Sequence, residues 1–302
     1  MKIAILTKLP NYYTETRLVE EAEKRNHTIV MLRYPACYVA VTGTGGKVLH
    51  EGEEVTGIDA VIPRSFAGSI NYGVAVLRQL ENGDTYTTTK SLAITRSVDM
   101  LRSIQILSRK GVEIPNSVFL REPSQADELI DYVGLPAVVR VPSSSSRRAS
   151  STVLAETRKA VGSVIRAFYV SDATFILQEY VSPEKAKSVR VYVVGSSVVA
   201  SAQRAGVNIS DQGSGASEQL TGVAVLTESQ KKIAVKAAKA LGLSCCTIDM
   251  IVSADRTVVV GVDPFAGIES LEKITGRNIA AKIIEYIELN AKRRNKKDKV
   301  GA

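Results

Sequence analysis

A loop rich in serine and arginine follows a short apolar strand near the middle of the chain. The strand AVVRV carries one arginine, Arg140, and the loop PSSSSRRASS, residues 142–151, adds Arg147 and Arg148. Guanidinium groups and hydroxyls are hydrogen-bond donors, so these residue types suit an anion. However, Pro142 has no N–H to donate, and in a loop without glycine the Cβ atoms crowd a phosphate that approaches the backbone. The alternative interpretation is that the loop arginines are simply exposed.

Other patterns that could do chemistry are weaker. The segment TGTGGKVLH, residues 42–50, lacks the spacing of a phosphate-binding loop and the Ser or Thr that would follow its lysine, so it predicts a hairpin turn. His27 and His50 lack an accompanying Ser, Cys or carboxylate pattern. We interpret both histidines as turn and surface residues.

Composition predicts a globular protein. The chain has 302 residues, of which 45% are hydrophobic, which is enough for more than one domain. MKIAIL begins directly as a strand, and no window has the ~18 apolar residues of a spanning helix, so we expect a cytoplasmic protein without membrane contact. Cys37 stands alone, and Cys245 and Cys246 would face opposite sides of a strand. The cysteines therefore predict buried packing and not a disulfide framework or a metal cluster.

The C-terminal end of the chain is strongly basic. KRRNKKDK, residues 292–299, holds six bases and one acid, so it contributes +5 of the net charge of +8. This pattern is typical of a solvated extension, and the alternative is an arm for RNA or another polyanion. The candidate polyanion contacts are Arg147, Arg148, Arg293, Arg294, Lys296 and Lys297.

The N-terminal part alternates strands and helices. The strands KIAIL, TIVML and DAVIP accompany an amphipathic helix over residues 14–25. Helical periodicity also covers residues 70–80 and 98–110, and Gly111 ends the second of these helices. The segment SQADELIDYV predicts another helix, which Ser124 caps. This alternation predicts an α/β unit.

From residue 137 onward the pattern is mixed. Strands are predicted at 137–141, 152–155 and TFILQEY, with a helix at 157–170, and a hairpin turns at Gly195. A capping box, Thr227-x-x-Gln230, opens a further helix. A strand pair, CCTIDMIVS and RTVVVGVD, and a terminal helix from about Asn278 follow. The outward lysines of the capped helix are interpreted as its solvated face, and they are Lys232, Lys236 and Lys239.

The order of these elements resembles that of RimK-type ATP-grasp carboxylate-amine ligases over nearly the whole chain. The similar segments include DAVIPR, YGVAVLRQ, LRSIQILSRKGVEIP, LIDYVGLPAVV, VLAETRKAVGSVIRAF, ILQEYV, VRVYVVG and ESLEKITGRNIA. The resemblance implies an α/β and α+β fold, in which an N-terminal pre-ATP-grasp domain precedes two lobes that clamp a nucleotide. We predict an N-terminal domain at 1–95, a central lobe at 96–184, a C-terminal lobe at 185–290 and a tail at 291–302.

The resemblance also implies a reaction, in which ATP phosphorylates a carboxylate and an amine then displaces the phosphate. In that family two lysines and a glycine-rich flap hold the triphosphate. Here Met100 and Arg140 stand at the lysine positions, and the 142–151 loop stands where the flap would be. A methionine cannot donate the charged hydrogen bond of an ammonium group.

The metal and substrate positions implied by the resemblance also differ. The family motif similar to MEVNASPG reads VGVDPFAG here, so Gly261 replaces a glutamate that bridges two Mg²⁺ ions and Asp263 replaces an asparagine. Asp249 is still an aspartate, as the resemblance implies for a residue that faces the metal. Asp249 and Asp263 are therefore left as a weak, vestigial metal site. Arg190 and Arg204 remain at family positions; they either serve an anionic ligand or pair with nearby acids on the surface.

The segment from Gln178 to Val181 matches the adenine-side hinge of the family. The resemblance implies that the backbone after Glu179 reads the base and that Glu179 accepts a ribose hydroxyl. The alternative is the end of a buried strand retained for packing. The candidate cofactor-binding residues are Gln178, Glu179, Tyr180 and Val181.

Two functions follow. In the first, the chain is a catalytically inactive RimK-like protein that needs no cofactor and serves as a binding or scaffold component for RNA, a ribosome or a protein, including an active paralogue or further copies of itself. In the second, it remains an ATP-dependent glutamate ligase with a reorganised site. Arg140 and the loop arginines would then hold phosphates, and Asp249 and Asp263 would hold one Mg²⁺ ion. The first function is the main prediction, because the phosphate and metal positions have changed together.

Overall fold

The computed structural model shows the arrangement of most of the chain. It describes residues 1–64, 66, 68–83, 85–121, 126–141, 151–169, 174–181, 186–205 and 220–291. The loop cations Arg147 and Arg148, the Ser124 cap and the basic tail lie outside the described residues.

The N-terminal elements form a parallel sheet and a separate hairpin. Their bounds are β1 Lys2–Thr7, α1 Tyr13–Glu23, β2 Thr28–Arg33, a 3-10 turn Tyr34–Ala36, β3 Cys37–Thr42, β4 Gly45–His50, β5 Glu53–Glu54, β6 Ala60–Pro63, α2 Ile70–Glu81 and β7 Tyr86–Thr87. The parallel sheet has the order β2-β1-β6-β7, as expected for apolar strands connected by helices. The hairpin predicted for residues 42–50 is confirmed, because β3 pairs antiparallel with β4.

The helix predicted at 98–110 is confirmed as α4 Met100–Arg109, and a short helix that the sequence did not predict, α3 Ser91–Val98, precedes it. The chain is extended at Asp99, and the Asp99 carboxylate accepts a hydrogen bond from the backbone N–H of Arg102. Asp99 is therefore the N-cap of α4, so that the helix begins two residues later than predicted. Gly111 has a φ of 65°, in agreement with its predicted role as the C-terminal stop of α4.

The central lobe is a four-stranded antiparallel sheet packed against two helices. Its elements are β8 Ser117–Leu120, α5 Ala126–Val133, β9 Ala137–Val141, β10 Ser151–Ala155, α6 Arg158–Tyr169 and β11 Phe175–Glu179. The strand order is β10-β9-β11-β8. Apolar residues of these strands, such as Val139 and Leu177, pack with Ile130 and Ile165 of the helices. This core holds β9, the strand of Arg140, between β10 and β11.

The C-terminal lobe is built on a five-stranded antiparallel sheet. Its elements are β12 Lys187–Val194, β13 Ser197–Arg204, β14 Leu220–Val223, α7 Glu228–Leu241, β15 Cys245–Val252, β16 Thr257–Asp263, α8 Glu269–Thr275 and α9 Ile279–Ala291. The strand order is β14-β13-β12-β15-β16. The capping box of Thr227 and Gln230 is confirmed, and Gly242 ends α7 with a φ of 79°.

The two faces of this sheet belong to different cores. Val189, Val191 and Ile248 face α4 and α7. Tyr192 and Cys245 alternate with them and face α9 and the N-terminal sheet. Since side chains alternate along a strand, any residue of β12 or β15 can be assigned to one face from its register.

The three cysteines should be unreactive in the folded protein. Cys37, Cys245 and Cys246 are buried free thiols, and Cys245 and Cys246 lie in different cores as the sequence predicts. Burial raises the pKa of Cys37 to about 11 and that of Cys245 to about 12. Because the thiolate is the reactive form, we expect no thiol to react with Ellman's reagent at about pH 8 and all to react in denaturant. Rapid labelling of the native protein would contradict this packing.

Within the described residues, every helix is too short or too polar to span a lipid bilayer.

Candidate functional site

The centre of the C-terminal sheet holds a buried cluster of charges. Arg190 of β12 lies opposite Asp249 of β15, and Asp249 lies opposite Gly261 of β16. Arg190 makes two hydrogen bonds to the Asp249 carboxylate, from Nε to Oδ1 and from Nη2 to Oδ2, each 2.7 Å long. Nη1 of Arg204, on β13, lies 3.4 Å from the same Oδ2. The carboxylate is therefore shared by two guanidinium groups.

The pairing is buried and not on the surface. The side chains of Arg190, Asp249 and Arg204 are 7%, 15% and 17% exposed. Burial disfavours the charge of Arg190, but Asp249 and, to a lesser degree, Asp263 offset it, so that the pKa of Arg190 is raised. The expectation of surface pairing for Arg190 and Arg204 is thus corrected: they do pair with an acid, but at low exposure, where breaking the pair costs far more.

These residues do not fit the two-metal site that the resemblance implies. A Cβ atom at Gly261 would lie 3.4 Å from Oδ2 of Asp249, so a glutamate there would place a second carboxylate beside Asp249. Glycine supplies none. Asp263 accepts a hydrogen bond from the backbone N–H of Phe265 at 2.9 Å. Among the described residues no group of three or more His, Cys, Asp or Glu side chains could hold a metal ion.

Arg140 of the central lobe is a buried cation. It is 8% exposed, and burial lowers its pKa to about 10. Its register partner on β10 is Thr152. In the described part of the chain, neither Nε of Arg140 nor Oγ1 of Thr152 has a hydrogen-bond partner although both atoms are buried. A buried donor without a partner is costly, and an anion is the ligand that would satisfy it.

The hinge side chains are engaged within the fold. Gln178 donates to Oγ of Ser117 at 2.9 Å and is 5% exposed. Glu179 accepts from the backbone N–H of Asn116 and forms an ion pair with Arg256. These contacts favour the packing interpretation, while the adenine-side role of Gln178, Glu179, Tyr180 and Val181 stays a prediction. Tyr180 and Val181 follow β11 and are half-buried.

Met100, which stands at a lysine position in the resemblance, lies in the central part of the chain, and Ser188 lies on β12 two residues before Arg190. Met100 is the first residue of α4 and is half-buried. Ser188 is 6% exposed, and its hydroxyl has no hydrogen-bond partner among the described residues. The side chain at 188 therefore offers a polar but neutral group beside the start of β12.

Sequence reasoning missed a buried charged cluster between the N-terminal sheet and the loop after β16. Arg64 donates to the carbonyl oxygen of Ala266 at 3.2 Å, and its Nε lies 3.7 Å from Oε1 of Glu15. Thr7 donates to the same Glu15 oxygen at 3.0 Å. The available signal was an arginine directly after the buried strand AVIP. The cluster ties the N-terminal sheet to the strand end that carries Asp263.

Comparisons with known proteins agree on the fold. The RimK pre-ATP-grasp domain family matches residues 1–94, and the RimK-like ATP-grasp domain family matches residues 97–287. A relative from Saccharophagus degradans named "Probable alpha-L-glutamate ligase" is 38% identical over 301 residues and covers 98% of each chain.

Two solved structures share the architecture at low identity. The ATP-grasp ligase PsnB, complexed with a minimal precursor, Mg and ADP, has a TM-score of 0.73 at 18% identity and covers 96% of this chain and 98% of its own. A RimK domain ATP-grasp protein from Sphaerobacter thermophilus has a TM-score of 0.73 at 16% identity, with 95% and 99% covered. The predicted fold class, an ATP-grasp fold with an N-terminal pre-ATP-grasp domain, is confirmed.

Proposed function

This chain belongs to the RimK-like ATP-grasp family, and on that premise we propose that it is a binding or scaffold protein that has kept the clamp of the family without its metal-dependent ligase reaction. The observation that carries the proposal is the ion-pair cluster of Arg190, Asp249 and Arg204 opposite Gly261. The carboxylate that a metal would need is already bound by two arginines.

The energetics support this proposal. An ATP-dependent ligase depends on metal ions that neutralise the phosphate charge during transfer. To bind a metal here, Asp249 would have to release Arg190, and separating a buried pair costs about 3–5 kcal/mol. Gly261 contributes no carboxylate to offset that cost, which leaves Asp263 as the other acid near Arg190.

The partner proposed for such a protein is RNA, a ribosome or another protein, including copies of itself or an active paralogue. The basic tail and the cationic loop are the sequence features that support a polyanion, and both lie outside the described residues. A cytoplasmic location is part of the same proposal.

A second candidate is an active ATP-dependent glutamate ligase. It is favoured by relatives that match nearly the whole chain and are named probable alpha-L-glutamate ligases. The buried, unpartnered Nε of Arg140 favours it as well, because a phosphate group would satisfy that atom. In this candidate the clamp closes on ATP, and the arginines of both lobes compensate much of its charge.

An assay for ADP release separates the two candidates. We expect the full-length protein, given ATP, Mg²⁺, glutamate and a peptide acceptor, to release no more ADP than the Arg140→Met variant, which controls for contaminating ATPase. ADP release that requires both glutamate and the acceptor, and that the variant lacks, would overturn our proposal in favour of the ligase.

A variant that regains a carboxylate sharpens the same test. Gly261 does not have a positive φ, and an added Cβ atom would lie 3.4 Å from Oδ2 of Asp249, so the backbone at this position accepts a side chain in Gly261→Glu. We expect Mg²⁺ to raise the melting temperature of Gly261→Glu and to leave that of the natural protein unchanged. A Mg²⁺-dependent rise in the natural protein would contradict the absence of a metal site.

A further inference from the structure

A basic groove lies on the far side of the C-terminal sheet from the charge cluster. It encloses about 680 Å³, and α7, the end of α4 and the turn between β12 and β13 line it. We call it the lysine groove, and its polar residues are Lys110, Ser196, Ser197, Glu228, Lys231, Lys232, Lys236 and Lys239. Val189, Val191 and Ile248 face α7, whereas Arg190 and Asp249 alternate with them and face the other way. The lysine groove therefore lies on the opposite face of the sheet from the charge cluster of Arg190 and Asp249.

Most of the charge in the lysine groove is not neutralised. Its one acid, Glu228, pairs with Lys231 at 2.7 Å, and Lys236 donates to the carbonyl oxygen of Gly111 at 2.7 Å. In the part of the chain that the structure describes, Lys110, Lys232 and Lys239 have no ion pair. Five lysines and one glutamate give the groove a net charge of +4.

The lysine groove carries more net positive charge than all other residues of 1–291 together. Of the net charge of +8, the segment after residue 291 carries +5, which leaves +3 for residues 1–291. Since the groove alone carries +4, the rest of residues 1–291 has a net charge of −1. Residues 1–291 outside the groove are thus nearly neutral in sum, whereas the groove carries +4, and such a patch attracts a polyanion.

Four of the five groove lysines lie along one well-anchored helix, α7. The helix α7 is closed by its capping box at one end and by Gly242 at the other. Its apolar face is anchored in the core by Ala234, Ala237, Ala238 and Leu241. At 1.5 Å per residue, Lys232 and Lys239 are about 10 Å apart along the helix axis.

The charge of this row suits a nucleic acid strand. Lys231 is shared with Glu228, whereas Lys232, Lys236 and Lys239 have no ion pair in the described part of the chain, so α7 offers three full positive charges within nine residues. A nucleic acid backbone carries one phosphate charge on every nucleotide and is a polyanion that such a row of cations attracts.

The other lining groups suit backbone contacts. Ser196 and Ser197 can donate to phosphate oxygens or exchange hydrogen bonds with a 2′-hydroxyl, and the apolar lining, Val198, Val235 and Ala240, contains no aromatic ring for base stacking.

We propose that the lysine groove binds the backbone of single-stranded RNA without reading its sequence. The groove supplies the phosphate contacts of a rigid platform. This inference does not depend on whether the cleft retains ligase activity.

The test measures how RNA affinity depends on salt. Fluorescence anisotropy with a labelled oligouridine is recorded over a KCl series for the full-length protein and for Lys232→Ala/Lys239→Ala. Each lost phosphate contact reduces the slope of log K against log salt by about 0.7, so we expect the double variant to bind more weakly and to lose about 1.4 from the slope. Alanine favours helix, so α7 should fold normally.

A matched control is Lys159→Ala, an exposed helical lysine on α6 of the central lobe. Its affinity and slope should equal those of the natural protein. An unchanged slope in the double variant would remove the groove from RNA binding. If polyglutamate or anionic lipid vesicles depend on Lys232 and Lys239 while oligouridine does not, the ligand class is wrong and the proposal falls.

Discussion

Replacing Arg140 with methionine should raise the free energy of unfolding by about 1–3 kcal/mol, because it removes a buried donor that lacks a partner. Methionine is unbranched and apolar and can follow a similar path on the sheet face opposite the core of the central lobe, where Arg140 lies because it alternates with Val139. The natural residue is 8% exposed, and burial lowers its pKa to about 10, so its charge is held at a cost. Urea unfolding of both proteins measures the difference. The exposed arginine Arg109 provides the control, since Arg109→Met should change stability by no more than about 0.5 kcal/mol.

The same variant reveals whether Arg140 serves a ligand. Residues that a fold retains at a cost to stability are commonly functional. We expect inorganic tripolyphosphate to raise the melting temperature of the natural protein by more than that of Arg140→Met, which keeps only the other cations, such as those of the lysine groove, to bind it. If the variant is less stable than the natural protein, Arg140 makes compensating contacts and the interpretation of an unsatisfied cation is wrong. If tripolyphosphate stabilises both proteins equally, the anion binds elsewhere.

Replacing Asp249 with asparagine should cost about 3–5 kcal/mol of folding free energy, because Arg190 and Arg204 would lose their shared buried counter-ion. The side chains of both arginines are less than one fifth exposed, so water does not screen the loss fully. Asparagine keeps the shape of the side chain, and the change therefore isolates its charge. Urea unfolding at constant pH and ionic strength provides the measurement.

The matched control for Asp249 is the exposed aspartate of the β15–β16 turn. Asp255→Asn should alter stability by no more than about 0.5 kcal/mol. A carboxylate retained chiefly to bind a metal gives a different result: without the metal, its neutralisation is expected to be neutral or stabilising. Unchanged or increased stability of Asp249→Asn would thus argue against the ion-pair cluster and for a metal site.

The two proposals use opposite faces of one sheet. Arg190 and Asp249 face the cleft side, where the charges are paired, while the lysines of α7 cover the other side, where they are not. A protein that no longer catalysed ligation could keep a binding role on the second face, because the sheet and its two cores would still be needed to hold α7 in place. The ADP assay and the RNA titration test these proposals separately.

Local elements followed directly from the sequence where a single periodicity ran between clear start and stop signals. The capping box of Thr227 and Gln230 marks the start of α7 without any tertiary information. The start of α4 was predicted two residues early because the apolar spacing includes Val98, whereas the hydrogen bond from the backbone N–H of Arg102 to Asp99 sets the observed start. Helix α3 was not predicted. Helix α8 was absent from the predicted elements, since seven residues are too few to show a period.

The sequence by itself determined the family, the order of the strands along the chain and the glycine at position 261, where the resemblance implies a glutamate, because these depend on residue identity and on short-range pattern. Only the tertiary structure decided that Asp249 pairs with Arg190, 59 residues away, that the Nε atom of Arg140 is buried without a partner, and that Lys110 joins the lysines of α7 in one groove. The physical reason is that strand register and helix packing bring distant residues together. Both arise from the whole core, and no local run of residues encodes them.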